Sequence, residues 1–104
     1  MSVYWVARWQ AQLDTLEQHD AALARLVEHI RNEHKMVRSV QSLAVRFGAH
    51  PGGGGRIFME QHDDLAAIDV SGIKEHTPEC DAVWGAVYAL MVPGTYETAV
   101  WRDL

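Results

Sequence analysis

A heptad pattern in the first half of the chain constrains its fold more than any other feature. Alternating steps of three and four residues from Val6 to Ala44 meet twelve positions, of which nine are apolar. These positions are Val6, Trp9, Leu13, Leu16, Asp20, Leu23, Val27, Ile30, His34, Val37, Gln41 and Ala44. Such spacing places one apolar stripe along an α-helix, and no proline or glycine interrupts it before Gly48. We therefore predict a helix or a helix pair over residues 3–47.

The length of this segment leaves two arrangements open. An unbroken helix over residues 3–47 would extend for roughly 60 Å, about twice the width of a domain of this size. The helix either folds back near residues 31–34 as a hairpin or projects and packs against a second copy of the chain. Both arrangements bury the apolar stripe.

The second half of the chain starts with a glycine-rich connector over residues 48–55. This connector lacks the Lys-Ser/Thr that follows a phosphate-binding loop, because Arg56-Ile57 stands there. Residues 56–76 and 95–104 fit a strand or a helix equally well, whereas Thr77 followed by Pro78 is typical of a helix start. The pattern predicts one domain over residues 1–104 that is mainly α, with an α+β fold as the alternative.

Charge is distributed unevenly along the chain. The net charge is −5, and residues 57–104 hold nine acidic against two basic residues. This balance argues against nucleic acid or an anionic membrane as a direct partner and favours a basic protein. The longest apolar run, residues 82–92, is too short for a membrane span, which needs about 20 residues. Because one cysteine, Cys80, cannot form an internal disulfide, we expect a cytoplasmic protein.

The apolar stripe and an aromatic cluster near the N-terminus predict an interaction surface. Its expected residues are Trp5, Arg8, Trp9, Leu16, Asp20, Leu23, Val27, Ile30 and His34. In an antiparallel homodimer centred near Val27, Asp20 of one copy would lie near His34 of the other. A second surface, for a basic partner, is predicted from seven carboxylates: Glu60, Asp63, Asp64, Asp69, Glu75, Glu79 and Asp81.

These features predict a small acidic interaction module, either a self-associating adaptor or an inhibitor that covers a basic surface. No catalytic residue, metal site or cofactor is predicted, so the chain is not expected to be an enzyme. Two alternatives stay open. One is a metal- or thiol-dependent enzyme centred on His76 and Cys80, with His50 or His62 as a further ligand. The other is a nucleic-acid mimic that uses the acidic second half.

Overall fold

The protein has an α+β ferredoxin-like fold in which helices cover one face of a four-stranded sheet. A computed structural model describes residues 2–45 and 53–103. Its elements are β1 (Val3–Gln10), a 3-10 turn (Leu13–Thr15), α1 (Leu16–Glu33), β2 (Ser39–Ala44), β3 (Gly55–His62), α2 (Leu65–Lys74), α3 (Pro78–Tyr88) and β4 (Glu97–Arg102). The strands pair antiparallel in the order β2-β3-β1-β4. The prediction of a mainly α fold with a long N-terminal helix is therefore wrong.

Strand β1 occupies the start of the segment for which a helix was predicted. Its sequence is rich in Val, Tyr and Trp, which favour strands. Every second side chain of β1, at Trp5, Ala7 and Trp9, faces the helices. Strand β1 pairs with β3 on one side and with β4 on the other. Both partners lie far along the chain, so a local pattern could not reveal them. Strand β1 lies within residues 1–56, which hold seven basic against five acidic residues, whereas β4 and most of β3 lie within the acidic residues 57–104. One sheet therefore joins the two parts of the chain.

Helix α1 is the part of the heptad pattern that forms a helix. Its buried residues are His19, Ala22, Leu23, Leu26, Val27 and Ile30. This face packs on the sheet around Phe58, which is completely buried. The helix ends at Glu33, and the backbone N–H of His34 donates to the carbonyl of Ile30. The apolar stripe therefore lies in the core of a single chain.

Strand β2 occupies residues 39–44 of the segment for which a helix was predicted. It is an edge strand that pairs only with β3 among the described residues. Val40 is its one buried residue, while Leu43 is 46% exposed. An edge strand with so little burial has no clear alternation of apolar and polar residues. Its sequence therefore matched the helical period better, although no helix forms there.

The predicted glycine-rich connector lies partly outside the described residues, at positions 48–52. Within the described part, Gly53 has a φ of 74°, a left-handed conformation that suits glycine. Gly54 follows in close contact with β1, because a Cβ there would lie 2.9 Å from the carbonyl oxygen of Ala11. The end of the connector is thus packed against β1 where β3 begins.

The remaining elements resolve the ambiguous segments. Asp64 caps α2 by accepting from the N–H of Ala67, and Thr77 caps α3 by accepting from the N–H of Cys80. The predicted helix start at Thr77-Pro78 is confirmed. Residues 97–102 form a strand.

Among the described residues, none of the helices has the length and apolar character needed to cross a membrane.

Candidate active site

A cavity of about 360 Å³ opens between the helices and the helix-covered face of the sheet. Its walls come from β1, β3, the end of α1, α2, α3 and the turn before β4. The lining residues are Trp5, Ile30, His34, Glu60, Ile68, Ser71, Gly72, His76, Cys80, Asp81, Trp84, Tyr88 and Tyr96. A largely apolar cavity with a few polar groups is the usual form of a small-molecule site.

Aromatic rings form one wall of the cavity. Trp84 on α3 packs edge-on against Trp5, with ring centroids 6.0 Å apart, and stacks on Tyr88 at 5.5 Å. Tyr88 in turn meets Tyr96, to which its hydroxyl donates a hydrogen bond of 3.3 Å. Burial raises the pKa of Tyr96 far above its usual range, and the hydrogen bond with Tyr88 raises it further. The phenol of Tyr96 is therefore neutral at physiological pH.

Glu60 is the more buried of the two carboxylates that line the cavity, the other being the exposed Asp81. It lies on β3, on the same face as the core residue Phe58, and its side chain is only 13% exposed. Nε2 of the buried His62 lies 3.0 Å from its Oε1 and can donate to it. This contact fixes the orientation of the carboxylate. Glu60 is thus a poorly hydrated proton acceptor beside an apolar wall.

Cys80 and His34 also line the cavity. Burial raises the pKa of the Cys80 thiol, and Asp81 and Glu60 raise it further. Burial also lowers the pKa of His34, although Glu75 and Glu60 oppose this effect. Both side chains are therefore biased toward their neutral forms, which does not favour Cys80 as a nucleophilic thiolate.

His76 and Asp81 form an exposed pair at the mouth of the cavity. His76 Nε2 lies 3.0 Å from Asp81 Oδ1, and the two side chains are 58% and 64% exposed. The structure thus brings His76 and Cys80 to one cavity, as the thiol-enzyme alternative required. It pairs His76 with a carboxylate rather than with the thiol. His62 is paired with Glu60, and His50 lies outside the described residues.

The predicted interaction surface on the heptad stripe is mostly internal. Leu23, Val27 and Ile30 are buried in the chain's own core, and His34 is 8% exposed. Asp20 pairs with Arg56 of the same chain. The sheet supplies the cover that a second copy was expected to provide.

The remaining predicted interface residues separate onto different surfaces. Trp9 is buried, and its Nε1 donates to Nε2 of His19 at 2.8 Å. Trp5 lines the cavity, whereas Arg8 lies on the other face of the sheet and pairs with Glu97 at 2.7 Å. Leu16 is half-buried at the start of α1.

The seven carboxylates of the predicted acidic surface do not share one function. Glu60 and Asp81 line the cavity. Asp63 forms an exposed ion pair with Arg38, which lowers the pKa of Asp63, while Asp64 caps α2. Glu75 accepts a hydrogen bond of 2.7 Å from the hydroxyl of Ser71. The other two, Asp69 and Glu79, are exposed.

Sequence reasoning missed the aromatic wall and Glu60 as parts of one site. Trp84 and Tyr88 are one turn apart on the predicted α3, which places them on one helix face, and that spacing was a usable signal. Tyr96 and Glu60 gave no comparable signal, because strand pairing and the turn before β4 bring them to the cavity.

Solved structures with this fold include named oxygenases. A Caulobacter crescentus protein described as a candidate antibiotic biosynthesis monooxygenase superposes with a TM-score of 0.78 at 14% identity, covering 99% of this chain and 90% of that one. SnoaB, a cofactor-independent oxygenase from Streptomyces nogalater, gives a TM-score of 0.72 at 14% identity, with coverage of 99% and 93%. Rv0793 from Mycobacterium tuberculosis gives 0.71 at 19% identity, with coverage of 100% and 96%.

At these identities the likeness establishes the fold. No protein-family model matches the chain, and no curated protein matches its sequence. These neighbours contradict the predictions of a non-enzymatic, coiled-coil-like adaptor or inhibitor, because the matching structures have an α+β fold and include proteins named as oxygenases. The two alternatives, the His76/Cys80 enzyme and the nucleic-acid mimic, gain no support from these proteins either.

Proposed function

We propose that this protein is a small oxygenase that binds a flat aromatic molecule in the cavity and oxidises it with O₂. The observation that carries the proposal is the cavity itself, which is lined by the packed rings of Trp5, Trp84 and Tyr88 and by the shielded carboxylate of Glu60. The shared fold with SnoaB, a named oxygenase, supports the same reaction class.

The size and lining of the cavity favour a substrate of two or three fused rings. Its volume of about 360 Å³ lies at the small end of the range for ligand pockets, about 300–1,000 Å³. A planar ring system can pack against Trp84 in offset or edge-to-face geometry, the arrangements that aromatic pairs prefer. Polar groups of the substrate can reach Glu60 and the hydroxyls of Tyr88 and Tyr96.

Glu60 is the proposed proton acceptor. A mostly buried carboxylate beside apolar rings is shielded from water and can contact a bound substrate directly, which suits it to accept a proton. It would remove a proton from a phenol or from a CH₂ group made acidic by neighbouring aryl ketones. His62 acts as a positioning residue, because its Nε2 lies 3.0 Å from Glu60 Oε1.

The proposed oxidation balances with O₂ as the only oxidant. Proton removal leaves an electron-rich carbanion or enolate that can give electrons to O₂ and then form a C–O bond to it. Loss of water from the resulting hydroperoxide gives the ketone, so one CH₂ group and one O₂ become one C=O group and one H₂O. The aromatic wall excludes water from the reacting carbon during these steps.

Two measurements test this function. Quenching of tryptophan fluorescence by 1-naphthol should report binding beside Trp5 and Trp84. An oxygen electrode should then detect O₂ uptake with two- and three-ring aryl ketones that carry an acidic CH₂ group, and Glu60→Gln should lower that rate by about 10²–10⁴-fold. Glu17→Gln, an exposed change on α1, is the matched control. Absence of both binding and O₂ uptake would contradict the proposal.

A cytoplasmic location belongs to the same proposal. Its support is the single cysteine, Cys80, which is buried and free. Fractionation of the native host, followed by detection of the protein with an antibody, tests it.

A further inference from the structure

Three side chains that can bind a metal ion converge where the end of α1 meets the start of α3. His29 lies in the last turns of α1, His34 follows directly after it, and Cys80 lies in the first turn of α3. One potential ligand atom from each side chain lies within 4.8 Å of the other two. The two imidazole rings meet edge to face, with centroids 5.6 Å apart.

The two histidines have buried nitrogen atoms without a partner. Nε2 of His29 and Nε2 of His34 are shielded from solvent and form no hydrogen bond with any described residue. Burying such an atom unpaired costs free energy, and native proteins generally avoid it. His19 provides a contrast within the same helix, because both of its ring nitrogens have partners. Nδ1 of His62 is also unpaired among the described residues but lies outside this group of side chains, whereas His29 and His34 each bring an unpaired nitrogen to a group that also contains a thiol. This combination points to a metal ion as the missing partner.

The surrounding charges favour a cation at this position. Glu75, Glu60 and Glu33 lie close enough to His34 to influence its charge, and Asp81 and Glu60 do the same for Cys80. In the part of the chain that the structure describes, no lysine or arginine is among the groups that influence either side chain. A divalent cation would offset this excess of negative charge.

We propose that His29, His34 and Cys80 form a binding site for one Zn²⁺ ion. Two imidazole nitrogens and one thiolate are a common zinc donor set, and binding displaces the thiol proton to solvent. With usual Zn–N and Zn–S bonds, the ligand atoms stand roughly 3.3–3.6 Å apart, so they need to move about 1 Å inward. His34 lies beyond the last turn of α1, and its side chain can make this adjustment without breaking the helix.

Three protein ligands leave a fourth position open. His34 and Cys80 both line the cavity, so a water molecule or an oxygen atom of a bound small molecule can reach this position from the cavity. The zinc site is distinct from the predicted pair of His76 and Cys80, because His76 is exposed and bound to Asp81. It does not depend on the proposed oxygenase function.

Metal titration of protein purified without a histidine tag tests the site. Zn²⁺ should bind with a stoichiometry of one and raise the melting temperature. Co²⁺ should produce the near-ultraviolet charge-transfer band that reports a cobalt–thiolate bond. His34→Gln and His29→Gln remove a ligand and should weaken zinc binding by more than the roughly 10–100-fold that loss of a ligand's hydrogen-bond partner costs. Cys80→Ser should abolish the cobalt band. His76→Gln is the control and should bind Zn²⁺ as the wild type does.

A second measurement keeps the test valid if a variant fails to fold. Cys80 is the only thiol, so Zn²⁺ should slow its alkylation in the wild-type protein, as followed by mass spectrometry. The proposal is overturned by a folded wild type that binds no Zn²⁺, by unchanged alkylation in the presence of Zn²⁺, or by a cobalt spectrum without the thiolate band. Loss of binding in His76→Gln would overturn the ligand set. None of these readouts requires oxygenase activity.

Discussion

At the scale of single residues, a polar chain links the first strand to the first helix and to β3. Trp9 Nε1 donates to His19 Nε2, which places the His19 proton on Nδ1, 3.0 Å from Asp20 Oδ1. Asp20 also accepts two hydrogen bonds of 2.9 Å from the guanidinium of Arg56. Every member of this chain is thus paired, which is the condition under which buried polar groups stabilise a fold.

The pair formed by Asp20 and Arg56 makes stability depend on pH. The hydrogen bonds from Arg56 lower the pKa of Asp20 below its usual value. Desolvation acts in the opposite direction and raises this pKa, while the hydrogen bond with His19 lowers it further. Because the pKa of Asp20 is lower in the folded than in the unfolded state, the ion pair stabilises the protein at pH values above the unfolded-state pKa, near 4. This stabilisation is lost as the pH falls through the folded-state pKa. Asp20→Asn should therefore cost about 1–2 kcal/mol at pH 7, because the carboxylate is only half-buried, and progressively less below pH 4.

Urea denaturation at pH 7, 4 and 3 measures how the difference in stability between the wild type and Asp20→Asn shrinks as the pH falls. Asp69→Asn is the matched control, since it removes the same charge from an exposed position on α2. A difference between wild type and Asp20→Asn that stays constant from pH 7 to pH 3 would contradict the role of the ion pair.

Trp9→Phe tests the other end of the same chain. The change keeps an aromatic ring in the core but removes the donor to His19 Nε2, which is then buried without a partner. We expect a loss of about 1–3 kcal/mol in the free energy of unfolding. Trp101→Phe, at a position that is 47% exposed, should change stability by less than about 0.5 kcal/mol. Equal effects in the two variants would show that the hydrogen bond contributes little.

At the scale of elements, substitutions on helix α1 test whether the heptad stripe stabilises the single chain or a contact between two copies. Leu23 is 3% exposed within the chain's own core, so Leu23→Ala should destabilise the protein by about 2–5 kcal/mol. Leu65→Ala, at a helix position that is 62% exposed, should change stability by less than about 0.5 kcal/mol. Thermal unfolding at two protein concentrations completes the test. If the loss of stability in Leu23→Ala disappeared on dilution, the stripe would instead form a contact between copies.

The sequence predicted those elements whose signals are local. The heptad stripe predicted a helix over residues 3–47, of which only the part from Leu16 to Glu33 forms α1, whereas the capping residues marked the start of α3. Strands β1 and β2 were missed because their residues also fit a helical period, and because strand pairing over long sequence distances decides between the two. For the same reason the cavity, which combines β1, β3 and α3, had no signature in any one segment.

At the scale of the whole molecule, the sheet has a second face that the helices do not cover. Tyr4, Val6 and Arg8 alternate with the core residues of β1 and therefore lie on this outer face. By strand register, Val6 aligns with Met59 and Ala99, and Tyr4 aligns with Trp101. Leu43 aligns with Ile57 at the other side of the sheet. Leu43 and Trp101 are both nearly half exposed, so the outer face presents apolar surface to solvent.

This outer face gives the predicted homodimer a different contact surface from the heptad stripe. We expect two copies to associate through it at high micromolar concentration, since association would remove Leu43 and Trp101 from water. Trp101→Ser should weaken the dimer by roughly 30-fold, a loss typical of a tryptophan that contributes strongly to an interface, without altering the helix-lined cavity. Ile73→Ser removes an apolar side chain that is 80% exposed on α2 and should leave the dimer intact. Sedimentation velocity decides: a wild type that stays monomeric excludes the dimer, and equal weakening by both variants excludes this face as its interface.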